Sequence, residues 1–330
     1  MNRFPRKGVG AIVPEEPRAV VLADAIDAEA VRLLETAPCR VVDATEGAAA
    51  LEPQLASAWA LVVRSRTKVT KEVIDRAPRL ALIARAGVGV DNVDLAAAAA
   101  RGIRVVNAPT AATTSVAELT VALVLFLVRE LWGSIAATKG GTWKRGLSGH
   151  ELSGRTVGFV GYGRIAREAA RRLAPFGVQS IAFDPFVRET GDATHLVPLD
   201  DLLARADVVS LHAALTKENV HLMNADRIGR MKRGAFLVNV ARGPLVDESA
   251  LLPALASGQL AGVALDVFEI EPPRRTELLE HPHVLATPHL GASTPEAQGR
   301  AGRIVVDELL RALRGEPLRF EVPAEVAPGA

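Results

Sequence analysis

The chain of 330 residues contains one cysteine, Cys39. A single thiol cannot close an internal disulfide, and no group of cysteine and histidine has zinc-ligand spacing. A disulfide scaffold and a structural zinc site are thereby excluded, and a reducing compartment, the cytoplasm, is the expected location. Charge of one sign is also scarce. Lys and Arg number 39 against 38 Asp and Glu, and a net charge of +1 argues against general binding to nucleic acid or to an acidic membrane surface. Long apolar runs are missing as well. The longest, LTVALVLFLV from Leu119 to Val128, has about 10 residues, half of a bilayer span, and reads as a buried helix. Residues 1–17 carry Arg3, Arg6 and Lys7 without a continuous apolar stretch, and Pro14 and Pro17 interrupt any regular element there, so they read as a flexible extension.

With 49% hydrophobic and 23% charged residues, this length suits a globular protein of two ordinary domains. From Arg18 to Pro109 the apolar runs AVVLAD, RVVDA, ALVVRS, LALIARAG and RVVNAP alternate with the helix-like AEAVRLLETA, KEVIDRA and LAAAAARG. Such alternation predicts a parallel sheet with helices on both faces. This half lacks a dinucleotide glycine turn; its Gly87-x-Gly89 pair, followed by Val90 and Asp91, reads as a polar loop lining a cleft. Next comes a long apolar helix from Thr113 through Leu131, with Thr113, Thr114 or Ser115 as N-cap and Glu118 completing a capping box. Gly140, Gly141, Trp143, Lys144 and Arg145 then form an irregular stretch of the kind that serves an interface.

The sequence TVGFVGYGRIAREAA, Thr156–Ala170, is a strand that stops at glycine and restarts as a helix. Unpaired N–H groups and the positive end of the helix dipole converge there, as a pyrophosphate requires. Gly161 permits the turn, Gly163 keeps the phosphate approach clear, Arg164 and Ile165 open the helix, and Ala166 lets it sit close on the strand. Asp184 comes after the next strand, about 21 residues beyond Gly163, where an acid binds the ribose hydroxyls. A carboxylate there would repel a 2′-phosphate, so NAD is expected rather than NADP.

A second strand–helix series continues to HVLATPHLG, and the last helical stretch, Thr294–Arg314, is expected to return to the first domain. The expected fold is therefore α/β, with two doubly wound parallel-sheet domains. A Rossmann domain, 111–295, is inserted into a flavodoxin-like substrate domain made of 18–110 and 296–322, and 323–330 form a flexible tail.

In open sheets of this class ligands bind beyond the carboxyl ends of the strands. Arg242 comes after FLVNVA, Glu271 after VALDVF and His289 after VLATP. Removing a hydride from a carbinol carbon requires a base for the hydroxyl proton, which suits His289. Glu271 can fix its tautomer and support the imidazolium, and Arg242 can fork onto a substrate carboxylate. No metal is required. His212, after VVSL, has two roles open to it, bordering the cofactor or making a core hydrogen bond.

The segments VGYGRIARE, LVNVARGPLVDESAL, AGVALDVFEIEPP and HPHVLATPHLGAST resemble, in order, the signatures of the D-isomer-specific 2-hydroxyacid dehydrogenases. The resemblance runs from about Ala19 to about Arg314. It implies that Arg242, Glu271 and His289 are that family's catalytic trio and that Asp266 sits at the nicotinamide carboxamide. It further implies that Ala241 and Gly291 border the cofactor NAD, and that the protein is a homodimer, with pairing into tetramers left open. The segments VVRSRTKVTKEVI, ARAGVGVDNVDL, RGIRVVNAPT and FDPF are most similar to members acting on D-3-phosphoglycerate in serine synthesis. That likeness implies a substrate site with Arg64, Arg85, Gly87, Val88 and Arg242, joined by Arg145 from a neighbouring subunit.

There are departures from the pattern. Ala111 and Ala112 stand where an asparagine is usual, which keeps a reductase of glyoxylate, hydroxypyruvate or another unphosphorylated 2-keto acid as an alternative. Ala214 stands where proline is common. The chain ends soon after its last helix, so feedback by serine through a further domain is not expected. A third reading is an NAD(H)-sensing, corepressor-like binding protein.

Overall fold

The computed structural model describes residues 17–143, 149–274 and 276–323. Two parallel sheets organise them. The first contains β1 (Arg18–Leu22), β2 (Cys39–Asp43), β3 (Ala58–Val63), β4 (Leu82–Arg85) and β5 (Arg104–Val106), in the order β2-β1-β3-β4-β5. This is the flavodoxin-like order, in which the chain reverses direction across the sheet between β1 and β3. The inner strands read as unbroken apolar runs because both faces are covered. Val21, Leu61, Val63 and Ile83 pack to one side with Leu55 and Ile74. Val20, Leu22, Val62 and Leu82 pack to the other with Val305, Val306 and Leu309. Leu61 and Leu309 are both fully buried, and truncating a leucine so placed to alanine costs about 2–5 kcal/mol.

Those last three residues belong to the helix Pro295–Leu313, capped by the Thr294 side chain and packed on the helix Ala28–Glu35. A Cβ on Gly302 would stand 3.0 Å from that of Ala30, so the two helices meet closely. The buried Glu308 carboxylate accepts from the main-chain N–H groups of Arg319 and Phe320. It thereby turns the following segment onto the edge of β5, where Val322 N–H donates to Val105 O at 2.8 Å.

The second sheet contains β6 (Thr156–Val160), β7 (Gln179–Phe183), β8 (His195–Leu196), β9 (Val208–Leu211), β10 (Ala235–Asn239), β11 (Leu260–Leu265) and β12 (Val284–Ala286). Its order is β12-β11-β10-β9-β6-β7-β8, every pair parallel. This is the Rossmann arrangement, with its switch point between β6 and β9. The expected fold class is thus the observed one. Gly158, within β6, has a packing role: a Cβ there would lie 2.7 Å from Leu202 Cδ2 of the helix beneath.

The long apolar helix differs from expectation. It spans Thr113–Val128, stops at Glu130 in a left-handed conformation, and is followed by a second helix, Leu131–Lys139, at 72°. Its N-cap is Ala112, without a side-chain hydrogen bond. The capping box does not form because Ser115 already lies inside the helix and turns its hydroxyl back to Ala112 O. Glu118 instead faces Arg172 of the neighbouring helix. Among the described residues no single helix is long and apolar enough to cross a membrane.

Candidate active site

β6 delivers the chain to Gly161, whose φ of +84° suits glycine and whose added Cβ would stand 2.5 Å from Ala213 N. Gly163 is the N-cap of the helix Arg164–Leu173 and supplies no side-chain cap. A Cβ on it would meet nothing within 4 Å. The first N–H groups of the helix, at Arg164 and Ile165, therefore keep an open approach, and a dinucleotide pyrophosphate fits there. Ala166 is fully buried against the β6 layer.

Asp184 closes β7 beside this turn. Its Oδ2 accepts from Tyr162 N–H at 2.8 Å, and Oδ1 accepts from Phe186 and Val187 N–H at 2.8 and 3.2 Å. The buried Tyr162 hydroxyl meets Asp192 Oδ2 at 2.8 Å and Thr194 Oγ1 at 2.6 Å. Burial pushes its phenol up to about 12, with the Asp192 bond and charge adding to the rise and the Thr194 bond opposing it. The Arg167 guanidinium lies 4.9 Å over its ring and donates to Glu189 and Thr190 carbonyls. The glycine turn and the loop after Asp184 are thus one hydrogen-bonded unit. His212 lies at the end of β9 behind Gly161, its Nε2 2.8 Å from Ser210 Oγ. Desolvation pushes its ring down to about 3, so it is neutral at physiological pH.

The candidate catalytic groups stand past β10, β11 and β12. After β10 the buried Asn239 side chain donates to Arg242 O at 2.9 Å and accepts from Ala241 N–H at 3.1 Å, pinning the turn that presents Arg242. Gly243 has no room for a Cβ, which would collide with the Phe268 backbone. This close approach brings the turn after β10 against the loop that carries Glu271. After β11, the buried Asp266 carboxylate accepts from Thr287 Oγ1 at 2.6 Å, Leu290 N–H at 2.7 Å and Gly291 N–H at 2.9 Å. His289, at φ +53°, donates its main-chain N–H to Asp266 O.

In this frame His289 Nδ1 lies 2.8 Å from Glu271 Oε2, while Phe268 N–H donates to Oε1 at 3.2 Å. The bond to Glu271 raises the imidazole above its ordinary range, against the opposing effect of burial. Burial pushes the Glu271 carboxyl up, but the His289 bond and charge and the Phe268 N–H outweigh it and leave the group below the usual carboxylate range. Arg242 Nη1 donates to Ala241 O at 2.8 Å, and its Nε and Nη2 face Asp91 Oδ1 and Oδ2 at 3.4 and 3.2 Å.

Across the cleft, Arg64 follows the end of β3 and Arg85 is the last residue of β4. Asp24 accepts from the main-chain N–H groups of Arg64 and Thr67, from Thr67 Oγ1 and from Arg66 Nε. Asn92 Nδ2 donates to the Arg64 and Thr67 carbonyls. The Arg64 backbone is therefore held firmly, while its guanidinium has no hydrogen-bonded partner among the described residues. Arg85 is folded over Gly87, where a Cβ would overlap it, and its buried Nε is also unpartnered. Burial, then the nearby charges of Arg242 and Arg64, pushes this guanidinium down to about 10. Val88 packs on the apolar cluster that includes Ala112 and Val116, and its carbonyl accepts from Asn107 Nδ2 at 2.6 Å. Ala111 and Ala112 are both buried. Arg145 lies outside the described residues.

The site thus gathers Arg242, Glu271 and His289, with Arg85 within electrostatic reach of Arg242 and Arg64. Asp91, Asn239, Asp24, Tyr162 and Thr287 were given no role from sequence. Asn239, a polar residue ending a buried apolar run, was the clearest available signal.

Comparison with known proteins gives the family. The profile of the family described as D-isomer specific 2-hydroxyacid dehydrogenase, NAD binding domain, matches residues 121–291. D-3-phosphoglycerate dehydrogenase of Methanocaldococcus jannaschii is 43% identical over 302 residues, covering 90% of this chain and 58% of the relative. The chain spans between about half and three fifths of the length of the curated relatives of this kind. Among solved structures, the TT0316 protein from Thermus thermophilus is 36% identical with a TM-score of 0.85, covering 92% of this chain and 100% of that one. A glyoxylate reductase from Paecilomyes thermophila is 31% identical with a TM-score of 0.85, covering 94% and 99%. Because the family profile runs through more than half of the chain and whole solved chains superimpose on it, this protein belongs to the D-isomer specific 2-hydroxyacid dehydrogenases and binds NAD on its second sheet.

Proposed function

We propose that the chain catalyses the NAD-dependent interconversion of D-3-phosphoglycerate and 3-phosphohydroxypyruvate. The observation that carries the reading is the hydrogen-bonded His289–Glu271 pair with Arg242 close enough to affect the titration of both. In oxidation, His289 Nε2 takes the hydroxyl proton, and Glu271 on the other ring nitrogen supports the imidazolium that forms. In reduction, the imidazolium returns that proton to the carbonyl oxygen. Arg242 binds the substrate carboxylate and polarises the carbonyl. NAD would supply the hydride acceptor for the substrate carbon; Gly161, Gly163, Arg164 and Ile165 would hold its pyrophosphate, Asp184 would hold its ribose, and His212, Ala241, Asp266 and Gly291 would border its remaining length.

The phosphate is assigned to Arg64 and Arg85 beside Gly87 and Val88. A buried guanidinium with an unpartnered Nε and two other arginines nearby suits a multivalent anion. In this reading the substrate domain is 18–110 with 296–322, the NAD domain is 111–295, and the working unit is a cytoplasmic homodimer. A second reading, reduction of glyoxylate or hydroxypyruvate, is supported by the buried alanines at 111 and 112 and by the likeness to a glyoxylate reductase.

The test follows NADH absorbance with 3-phosphohydroxypyruvate, hydroxypyruvate, glyoxylate and 2-ketoglutarate at matched concentrations. The expected result is a kcat/KM for the phosphorylated acid at least about tenfold above the others, the equivalent of one charge-assisted contact. Preference for an unphosphorylated acid would replace the first reading by the second.

A further inference from the structure

We infer that Asp91 is a positioning residue that aims Arg242 from the opposite side of the cleft. The inference rests on the reading of Arg242 as the carboxylate-binding group. A guanidinium has five N–H donors in one plane, arranged as a side fork (Nε with Nη2) and an end fork (Nη1 with Nη2). Asp91 takes the side fork, with Nε–Oδ1 3.4 Å and Nη2–Oδ2 3.2 Å. Ala241 O takes one Nη1 hydrogen at 2.8 Å. Nη1 and Nη2 each carry two hydrogens, and among the described residues one on each is engaged, so one further donor remains on each. Asp91 and Ala241 together fix the plane of the guanidinium and leave those two remaining donors for a carboxylate.

The two anchors come from different sheets. Ala241 and Arg242 lie just past β10, whereas Asp91 lies in the loop after β4, whose neighbouring Asn92 is tied to the Arg64 and Thr67 carbonyls. Gly89 completes the arrangement. A Cβ on it would collide with Arg242 Nη2 and approach Asp91 Oδ2 to 2.6 Å. The fork is consequently oriented only when the two halves of the cleft are apposed as they are here, which couples carboxylate recognition to the geometry between the sheets. The pair is partly exposed, at 24% for the Arg242 side chain and 45% for Asp91. Such a pair adds little to stability, so its effect should be felt in ligand affinity.

The experiment measures oxalate binding to the protein–NADH complex by calorimetry, together with KM and kcat for whichever 2-keto acid the protein reduces. Asp91→Ala should weaken oxalate and raise KM by about tenfold, as expected for losing a hydrogen bond to a charged group. Asp91→Asn, which keeps one acceptor, should fall between, and NADH affinity and melting temperature should hold. Gly89→Ala should reproduce the loss by displacing the guanidinium. In an Arg242→Ala background, Asp91→Ala should add no further loss of oxalate affinity. Tighter oxalate binding by Asp91→Ala would make Asp91 a competitor for the fork and overturn the aiming role, as would unchanged affinity while Arg242→Ala binds weakly. Unchanged affinity in Arg242→Ala itself would overturn the carboxylate assignment along with it.

Discussion

Nδ1 of His289 is 2.8 Å from Oε2 of Glu271, two residues supplied by separate loops after β12 and β11. The Glu271 bond raises the imidazole pKa and thereby favours the protonated ring. Reduction of a keto acid needs that proton, so its rate holds up to the raised pKa and falls above it. Oxidation needs the neutral ring and rises through the same pKa. Glu271→Gln removes the raising charge. The high-pH limb of reduction should therefore retreat to lower pH, and the low-pH limb of oxidation should move the same way. Profiles of kcat/KM in both directions would check this, and limbs that stay in place would remove Glu271 from the role. His289→Ala should lower turnover by about 10² to 10⁴ while NADH binding stays nearly intact.

Asp184 holds three main-chain N–H groups, those of Tyr162, Phe186 and Val187. Asp184→Ala should orphan all three as well as removing the ribose acceptor. We expect the KM for NAD to rise about tenfold or more and the rejection of NADP to relax, since the charge opposed to a 2′-phosphate is gone. Titration of the purified variant with both dinucleotides reads this directly. Unchanged NAD affinity would refute the ribose assignment.

The two turn glycines should separate in their effects. Gly161→Ala combines a φ of +84° with a Cβ 2.5 Å from Ala213 N, and strain plus overlap should cost about 2 kcal/mol or more. In a chain of this size that lowers Tm by several degrees. Gly163→Ala meets no protein atom within 4 Å at φ −82°. Its melting temperature without cofactor should stay close to that of the parent, while NAD binding weakens because the methyl occupies the pyrophosphate approach. Thermal melts with and without NAD would distinguish the two, and equal destabilisation of both apo variants would contradict the assignment.

The local chemistry of the chain was enough to locate much of this molecule. Apolar runs buried on both faces, such as Val20–Leu22 and Leu61–Val63, announce parallel strands because helices must cover them. The glycine turn and Asp184 are legible because strand, turn and helix are contiguous, and Arg242, Glu271 and His289 because each lies a few residues past a strand end. The helix that was expected to reach Leu131 but ends at Val128 marks the limit of such reading. Neither Arg129 nor Glu130 is a residue that forbids a helix, so nothing local announces the left-handed turn at Glu130 or the bend of 72°.

Sequence alone thus determined the two sheets' alternation, the glycine turn after β6 and the polar residues that stand past the strand ends, all of which depend on near neighbours. Tertiary structure alone decided the rest. It committed the Asp266 carboxylate to Thr287, Leu290 and Gly291, left Arg85 Nε buried and unpartnered, and set Asp91 against Arg242 across 151 residues of chain. Such contacts require the two sheets to be packed before the side chains can meet, and no local periodicity encodes a pairing over that separation.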